Sequence, residues 1–403
     1  MTENPDVIVV GAGVIGCSVA YYLSKQGAKV TLLDREAIGS GASAHATGSL
    51  SLLGAEFSPG PSFRFALAAH REFPDLVRSL EEETGMDLLF QQRPSLRLAL
   101  DEEEEAMIKG LMAWQEEHVA MKWIDGEEVR RIEPRLTPKV RGAVYENQSS
   151  QLDSYRLTLA LGQAAEKKGA QLQLRAVTGL VASGSPATTG SRITGVRTSL
   201  GEISCGTVVL AAGVWTAAFS EALDYSVPVQ ALKGERLMLR FSGEPLPVLI
   251  SSPKRGHMIS RLDGMLSVGS TGGRDYDQQD LFLGDEFDRQ PTESARVELL
   301  QRAIDVLPAL EDAQLVQQLA GSRPLSPDRF PIIGPVPGWE GIVLATGHGT
   351  KGVHLGPLTG RTVAEYILGG CVQVPEIIEF CSPGRFASAA EADFYASSQR
   401  VEE

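Results

Sequence analysis

Short apolar runs rich in β-branched residues alternate with stretches of helical period along the start of the chain. Asp6-Val-Ile-Val-Val10 passes directly into Gly11-Ala-Gly13-Val-Ile-Gly16, and from Val14 to Gln26 the apolar positions Ile15, Val19, Tyr22 and Leu23 recur near the spacing of one helix face. Gly27 closes that helix, and Lys29-Val-Thr-Leu-Leu33 begins a second strand ending at Asp34. The order strand, glycine turn, helix, strand predicts one complete βαβ unit.

Further along, the spacing predicts a helix over 62–84 interrupted by Pro74, whose ring removes a backbone N–H. Ser95-Leu-Arg-Leu-Ala-Leu100 alternates like a half-buried strand, and Asp101 to His118 reads as a charged helix. The acids Asp101 to Glu105 suit the positive end of that helix and are read as solvated. Leu152-Asp153-Ser154 caps a helix to Lys168, Gly169 ends it, and Ala170 to Val177 reads as a strand. Gly184 to Gly190 reads as a hairpin tip, and Ile203 to Gly213 as a buried strand. Val227 to Thr271 carries strands at hairpin spacing, which predicts an antiparallel sheet, and Thr292 to Leu307 an amphipathic helix. Gly341 to Thr346 is a last parallel strand, leading through Gly347-His-Gly-Thr-Lys-Gly352 into a helix from about Val353 to Leu368. Residues beyond about Gly370 read as a tail.

Composition narrows the function. With 403 residues the chain has room for two domains, and 43% hydrophobic with 22% charged residues is ordinary for a globular protein. A formal charge of −14 argues against nucleic acid and against an anionic membrane surface as partners. Cys17, Cys205, Cys371 and Cys381 form no CxxC pair, so neither a metal site nor a disulfide framework is expected, and a reducing cytosol fits. No apolar run approaches a membrane span and no basic leader precedes the first strand, so a cytoplasmic location is expected.

The first turn carries recognisable chemistry. Gly11 permits the turn out of the strand, Gly13 lets backbone N–H groups approach a pyrophosphate, and Gly16 lets the helix pack on the sheet. The phosphates then lie at a helix N-terminus, and Asp34, roughly twenty residues on, can accept both hydroxyls of a ribose. The run from Arg35 to Leu50 is too small for core and too uncharged for a solvated linker, and suits backbone laid against a flat ligand, with a flexible loop as the alternative.

Within that run, Gly41-Ala-Ser-Ala-His-Ala-Thr-Gly48 resembles the second FAD-contacting segment of the D-amino-acid oxidase-like flavoproteins, the family of glycine oxidase, sarcosine oxidase and dimethylglycine dehydrogenase. Leu319-Ala-Gly-Ser-Arg-Pro-Leu-Ser-Pro-Asp328 to Gly334 resembles the same family's Gly-x-Arg-Pro string, so the likeness spans about residues 6 to 370. It implies an α/β fold: a Rossmann-type FAD-binding domain (1–84, 149–226 and 320–372), a second α+β substrate domain built on an antiparallel sheet (85–148 and 227–319), and a tail from 373. It also implies FAD contacts at Gly11, Gly13, Ile15, Gly16, Asp34, Arg35, Ala42, Ser43, His45, Thr47, Gly48, Val177, Ala212, Gly213, Trp215, Gly349, Thr350, Lys351, Gly352 and Val353. His45 matches a position that in some relatives is bonded to the flavin; the expectation is a neutral, hydrogen-bonded histidine beside non-covalent FAD, with a covalent link as the alternative.

By the same resemblance Arg323 is the carboxylate-binding arginine, and the helix N-terminus after Gly352, with Lys351, faces the end of the flavin that becomes anionic on reduction. Glycine oxidases carry an arginine in the last loop and a tyrosine on the strand where His257 aligns. This chain has Thr350 and Lys351, and His257, so His257, His348 and Lys351 are read as lining a differently shaped site, with ordinary strand and loop hydrogen-bonding as the alternative for the two histidines. The implied activity is oxidation of an amino acid or N-substituted glycine by hydride transfer to flavin, with O2 or another electron acceptor. Alternatives are an oxidase module acting on a carboxymethylamino group of modified tRNA, and the flavin subunit of a multi-subunit amine or opine dehydrogenase. A homo-oligomer and a hetero-subunit partner both stay open.

Overall fold

The computed structural model describes residues 4–53, 57–183, 190–271, 281–282 and 289–387. Val7–Val10, the helix Val14–Lys25 and Val30–Asp34 form the βαβ unit, with the two strands parallel and Val7 opposite Val30. They sit in a six-stranded sheet in the order 332–335, 342–346, 207–210, 7–10, 30–34, 171–174. All its pairs are parallel except the first, where Ile332–Pro335 runs against Ile342–Thr346. Near-continuous apolar runs such as Val7-Ile-Val-Val10, buried on both faces, are what a helix-covered parallel sheet requires. The C-terminal helix Gly352–Ile367 lies on the first helix because Gly360 has no side chain: a Cβ there would stand 2.4 Å from the Cβ of Ser18.

A second, nine-stranded sheet runs 281–282, 230–240, 266–269, 256–260, 249–252, 95–99, 142–146, 121–125, with Gln314–Leu325 also pairing the long strand Gln230–Arg240. It is antiparallel except where Leu249–Ser252 runs parallel to Ser95–Ala99. Its register aligns Arg97, Ser251, His257, Gly269 and Arg236 in one row across five strands. Residues paired in this way share a face, and that face carries the chemistry described below.

Several expectations are corrected. Pro74 does not interrupt its helix, which is continuous over Pro61–Thr84; Phe73, Leu76, Val77 and Leu80 are buried around it, and that packing offsets one lost hydrogen bond. The acidic run is not uniformly solvated, because Glu104 is fully buried. It accepts from Leu100 N–H (2.8 Å), Ser252 Oγ (2.5 Å) and Lys254 N–H (2.9 Å) and pairs with Arg255 (2.7 Å), tying its helix to the second sheet. The strand read over 170–177 is two strands: Gln171–Leu174 joins the parallel sheet, and Val177–Ser183 pairs instead with Ser191–Thr198. Most of the hairpin tip between them, residues 184–189, lies outside the described residues.

The segment read as a tail is anchored as far as residue 387. Pro375–Phe380 is helical, and the Arg385 guanidinium donates to Asp328 (2.7 Å) and to the carbonyls of Phe330 and Pro331 (3.0 Å each). It therefore braces the loop that follows Arg323.

Candidate active site

A cavity of about 770 Å³ is lined by the C-terminal ends of the parallel strands and by one face of the second sheet. At its nucleotide end Gly11 has φ +103°, and a Cβ there would lie 2.5 Å from the Ala211 carbonyl oxygen. At Gly16 a Cβ would lie 1.8 Å from the Gly11 carbonyl oxygen, so the helix start can touch the turn only without a side chain. Gly16 acts through this packing and is not among the lining residues. Gly13, the helix N-cap, has no side-chain cap, and the first turn carries no acid. Ser43 accepts the Val14 N–H at 2.9 Å, and the helix end otherwise faces the cavity with its positive dipole uncompensated by an acid.

Asp34 is held at the cavity edge by two backbone N–H groups, Ala12 to Oδ2 (2.7 Å) and Glu36 to Oδ1 (2.8 Å), which fixes its carboxylate where a nucleotide ribose could reach it. Arg35 stacks on Trp215, 4.2 Å from the ring centroid, and both line the cavity. Arg289, which sequence reasoning missed, lies 5.8 Å from the same ring and donates to Ser40 O (3.1 Å) and to Glu36, whose carboxyl it holds below its ordinary range. No local pattern could reveal a contact made across roughly 250 residues of chain. Val177, Ala212 and Gly213 complete this end. An uncapped helix, close-packed glycines and an anchored carboxylate fit a dinucleotide of the FAD type.

Ala42–His45 forms a 3-10 turn, and Ala42, Ser43, His45, Thr47 and Gly48 all line the cavity. Gly48 (φ +80°) allows close approach, since a Cβ there would stand 1.9 Å from the Leu152 carbonyl oxygen. The His45 ring packs against the bare backbone of Gly321. Burial, then the charges of Arg236 and Arg289, push its pKa down, so it is neutral. Its Nδ1 is buried without a hydrogen-bond partner among the described residues.

Arg323 lies across the strand Gln230–Arg240, over a residue with no side chain. A Cβ at Gly234 would fall 2.0 Å from its Nη2, so the guanidinium rests flat on the backbone there, and Nη1 donates to the Thr271 carbonyl at 3.2 Å. Gly234→Ala is therefore expected to displace the guanidinium and raise KM for a carboxylate substrate by about tenfold, the size of one charge-assisted hydrogen bond. Steady-state kinetics on flavin-replete protein checks this.

His257 sits in the same row of the sheet. Burial, then the charges of Arg323 and Arg236, lower its pKa to about 4, and its Nε2 is buried with no partner among the described residues. His348 is 2% exposed and its pKa is pushed down to about 3, chiefly by burial. Its Nε2 shares a hydrogen bond of 3.0 Å with Thr359 Oγ1 while the residue also lines the cavity, so loop anchoring and site lining coincide. Buried His354 behaves likewise, with a pKa near 3. These three rings are neutral when folded, whereas the unfolded chain takes up their protons below about pH 6.5. The sign follows: unfolding free energy should fall as pH drops from about 6.5 toward 4, which urea titrations across that range would show.

Lys351, 5% exposed, donates to the Arg329 carbonyl at 3.4 Å and sits over the rings of Phe57 (5.2 Å) and Phe330 (5.6 Å). Gly349, Thr350, Gly352 and Val353 line the cavity beside it, and the helix they begin has no side-chain cap and no acid in its first turn. A second uncompensated helix N-terminus thus faces the same space. Sequence reasoning also passed over Arg236 and Arg97, although a lone arginine in the otherwise apolar alternation Leu96-Arg97-Leu98 was a readable signal.

Residues 6–366 match the model of a family described as FAD dependent oxidoreductase. A glycine oxidase of Pseudomonas aeruginosa is 34% identical over 370 residues, covering 90% of this chain and 94% of that protein. The hydrogen cyanide synthase subunit HcnC of the same organism is 30% identical, covering 89% and 91%. The crystal structure of glycine oxidase from Geobacillus kaustophilus superimposes with a TM-score of 0.84 at 29% identity, covering 93% of this chain and 98% of that one.

Proposed function

The chain belongs to the FAD dependent oxidoreductase family, and from that premise we propose that it oxidises a small amino acid or N-substituted glycine at the carbon next to nitrogen, giving an imine that hydrolyses. Oxidation of amino acids or amines by an FAD enzyme is the activity class of the family; the substrate form and the residue roles are our reading. When bound, FAD supplies the acceptor for the hydride. The observation that carries the reading is Arg323, whose guanidinium is laid flat on Gly234 within the cavity that also holds the glycine turn and Asp34. A guanidinium so placed can take a carboxylate in bidentate fashion and hold the adjacent carbon in one position.

The other residues favour positioning over proton transfer. His257 and His348 are neutral and, with pKa values of about 4 and 3, are weak bases. Among the described lining residues the carboxylates are Asp34, at the nucleotide end, and Glu235, whose oxygens are taken by Thr292 (2.8 and 2.9 Å) and Gln318 (2.8 Å). None of these groups is a strong base for the amine, which favours a substrate whose amine arrives already neutral. The two-domain division stated above is part of this proposal; its support is that the parallel strands fall in one set of segments and most of the second sheet in the other.

Anaerobic mixing of the yellow holoenzyme with glycine, sarcosine, dimethylglycine and both enantiomers of common amino acids tests the reading. Bleaching by at least one carboxylate-bearing amine is expected; none with any of them would refute it. We also propose that the flavin is non-covalent, so acid precipitation is expected to leave the yellow colour in the supernatant and not in the pellet. Similarity to a hydrogen cyanide synthase subunit favours a second reading, a flavin subunit that passes electrons to another chain. Flavin bleached by substrate but barely reoxidised by oxygen would select it.

A further inference from the structure

Arg236 is a buried cation without a direct counter-ion among the described residues. It is 6% exposed, lines the cavity, and has Nη1 within 3.2 Å of Ser267 Oγ and 3.3 Å of Met238 Sδ, both uncharged. Its Nε is buried with no hydrogen-bond partner, and it makes no ion pair among the described residues. Burial, then the charge of Arg261, lowers its pKa to about 10 against the opposing pull of Asp153 and Asp263, which are themselves paired with Arg261, and this still leaves it protonated at neutral pH. Desolvating a guanidinium without a counter-charge costs several kcal/mol, and a hydrophobic residue of similar volume would avoid that cost. A protein that retains such a group at a cavity wall has a reason outside its own fold.

The register places this cation relative to Arg323. The Arg323 guanidinium rests on Gly234, and Arg236 is two residues further along the same strand and face, roughly 7 Å away at the backbone. The Arg236 side chain then reaches onward to Ser267, which is opposite Met238, so the two guanidinium groups are set apart, with His257 close enough to feel both. A carboxylate seated on the Arg323 guanidinium over Gly234 leaves the Arg236 guanidinium, turned toward Ser267, open to a second acceptor. Among the described residues Asp34 and Glu235 are engaged elsewhere and Asp153 and Asp263 are paired with Arg261, so a ligand carboxylate would supply the direct counter-charge that Arg236 lacks.

We propose that the substrate carries a second carboxylate, distal to the reacting amine: a dicarboxylic amino acid or an N-carboxyalkyl amino acid, held by Arg323 at the near carboxylate and by Arg236 at the far one. This rests on the reading of Arg323 given above. It makes Arg236 a specificity determinant, because a neutral amide in place of the far carboxylate would leave the guanidinium buried and unpaired.

The test uses the flavin-replete enzyme under anaerobic conditions. Binding is read from perturbation or bleaching of the flavin spectrum with matched pairs: aspartate against asparagine, glutamate against glutamine, and iminodiacetate against sarcosine. Thermal shifts with unreactive succinate or glutarate against propionate give a readout independent of turnover. At least one dicarboxylate is expected to bind about tenfold or more tightly than its partner. Arg236→Met is expected to bring that ratio close to one and remove the succinate or glutarate shift, while Arg236→Lys keeps part of both.

Without ligand, Arg236→Met should be at least as stable as the parent; a fall in Tm would mean internal partners hold the guanidinium and would overturn the proposal. It is equally overturned if no pair shows a preference, if Arg236→Met keeps the preference, or if that variant purifies without flavin, which would assign the guanidinium to the cofactor. Flavin bleached by glycine or sarcosine with no advantage for a dicarboxylate sinks this inference alone. Flavin untouched by every carboxylate-bearing amine sinks the reading of Arg323 as well.

Discussion

Arg323→Ala is expected to lower kcat/KM by roughly a thousandfold, because truncating one partner of a buried charge pair costs several kcal/mol. The loss should appear in KM and kcat together, since on the proposed reading the same guanidinium would both bind the carboxylate and fix the angle at which the neighbouring carbon meets the flavin. Arg323→Lys is expected to recover little: an ammonium replaces the charge but not the planar, two-pronged donor that rests on Gly234. Flavin content should be unchanged, because the nucleotide end of the cavity lies elsewhere. Near-normal kcat/KM in the alanine variant would remove Arg323 from the site.

Gly16→Ala and Gly13→Val are expected to give colourless protein, for different reasons. At position 16 the new Cβ would sit 1.8 Å from the Gly11 carbonyl oxygen, a backbone atom that cannot yield without moving the turn. That variant should lose both flavin and thermal stability. At position 13 a Cβ would meet only the Ser43 hydroxyl, at 3.2 Å, so the chain can fold while a branched side chain fills the approach to the helix N-terminus. FAD affinity should then fall on the order of a hundredfold, the loss of one or two charge-assisted hydrogen bonds, with little change in the Tm of the flavin-free protein. Titration of the apoprotein with FAD and a melt of each variant separate the two effects. Wild-type flavin content in Gly16→Ala would contradict the packing argument.

Local chemistry was legible where a residue's partners are near in sequence. The Gly11 to Gly16 turn, Asp34 at its strand end, and the helix start after Gly352 each follow from neighbours within a turn or a strand, and each appears in the structure as read. Errors arose where distant segments decide. Pro74 carries the local mark of a helix break, yet buried side chains on both sides of it keep the helix whole. Glu104 looks like one acid among five, but three hydrogen bonds from Leu100, Ser252 and Lys254 and an ion pair with Arg255 bury it. Arg385 lies in what reads as a tail and proves to brace the loop after Arg323.

By itself the sequence determined the kind of protein: alternating strands and helices around a glycine turn, a nucleotide end with a candidate ribose-binding acid, and a candidate carboxylate-binding arginine. Those features are periodic or contiguous, so they are written in the order of the residues. Only the tertiary structure decided what the substrate end is made of. Strand register set Arg97, His257 and Arg236 in one row, a missing side chain at Gly234 gave Arg323 its place, and burial made the histidines neutral and left the Arg236 Nε without a hydrogen-bond partner among the described residues. Register and burial are properties of pairs of distant segments, and no single stretch of chain contains them.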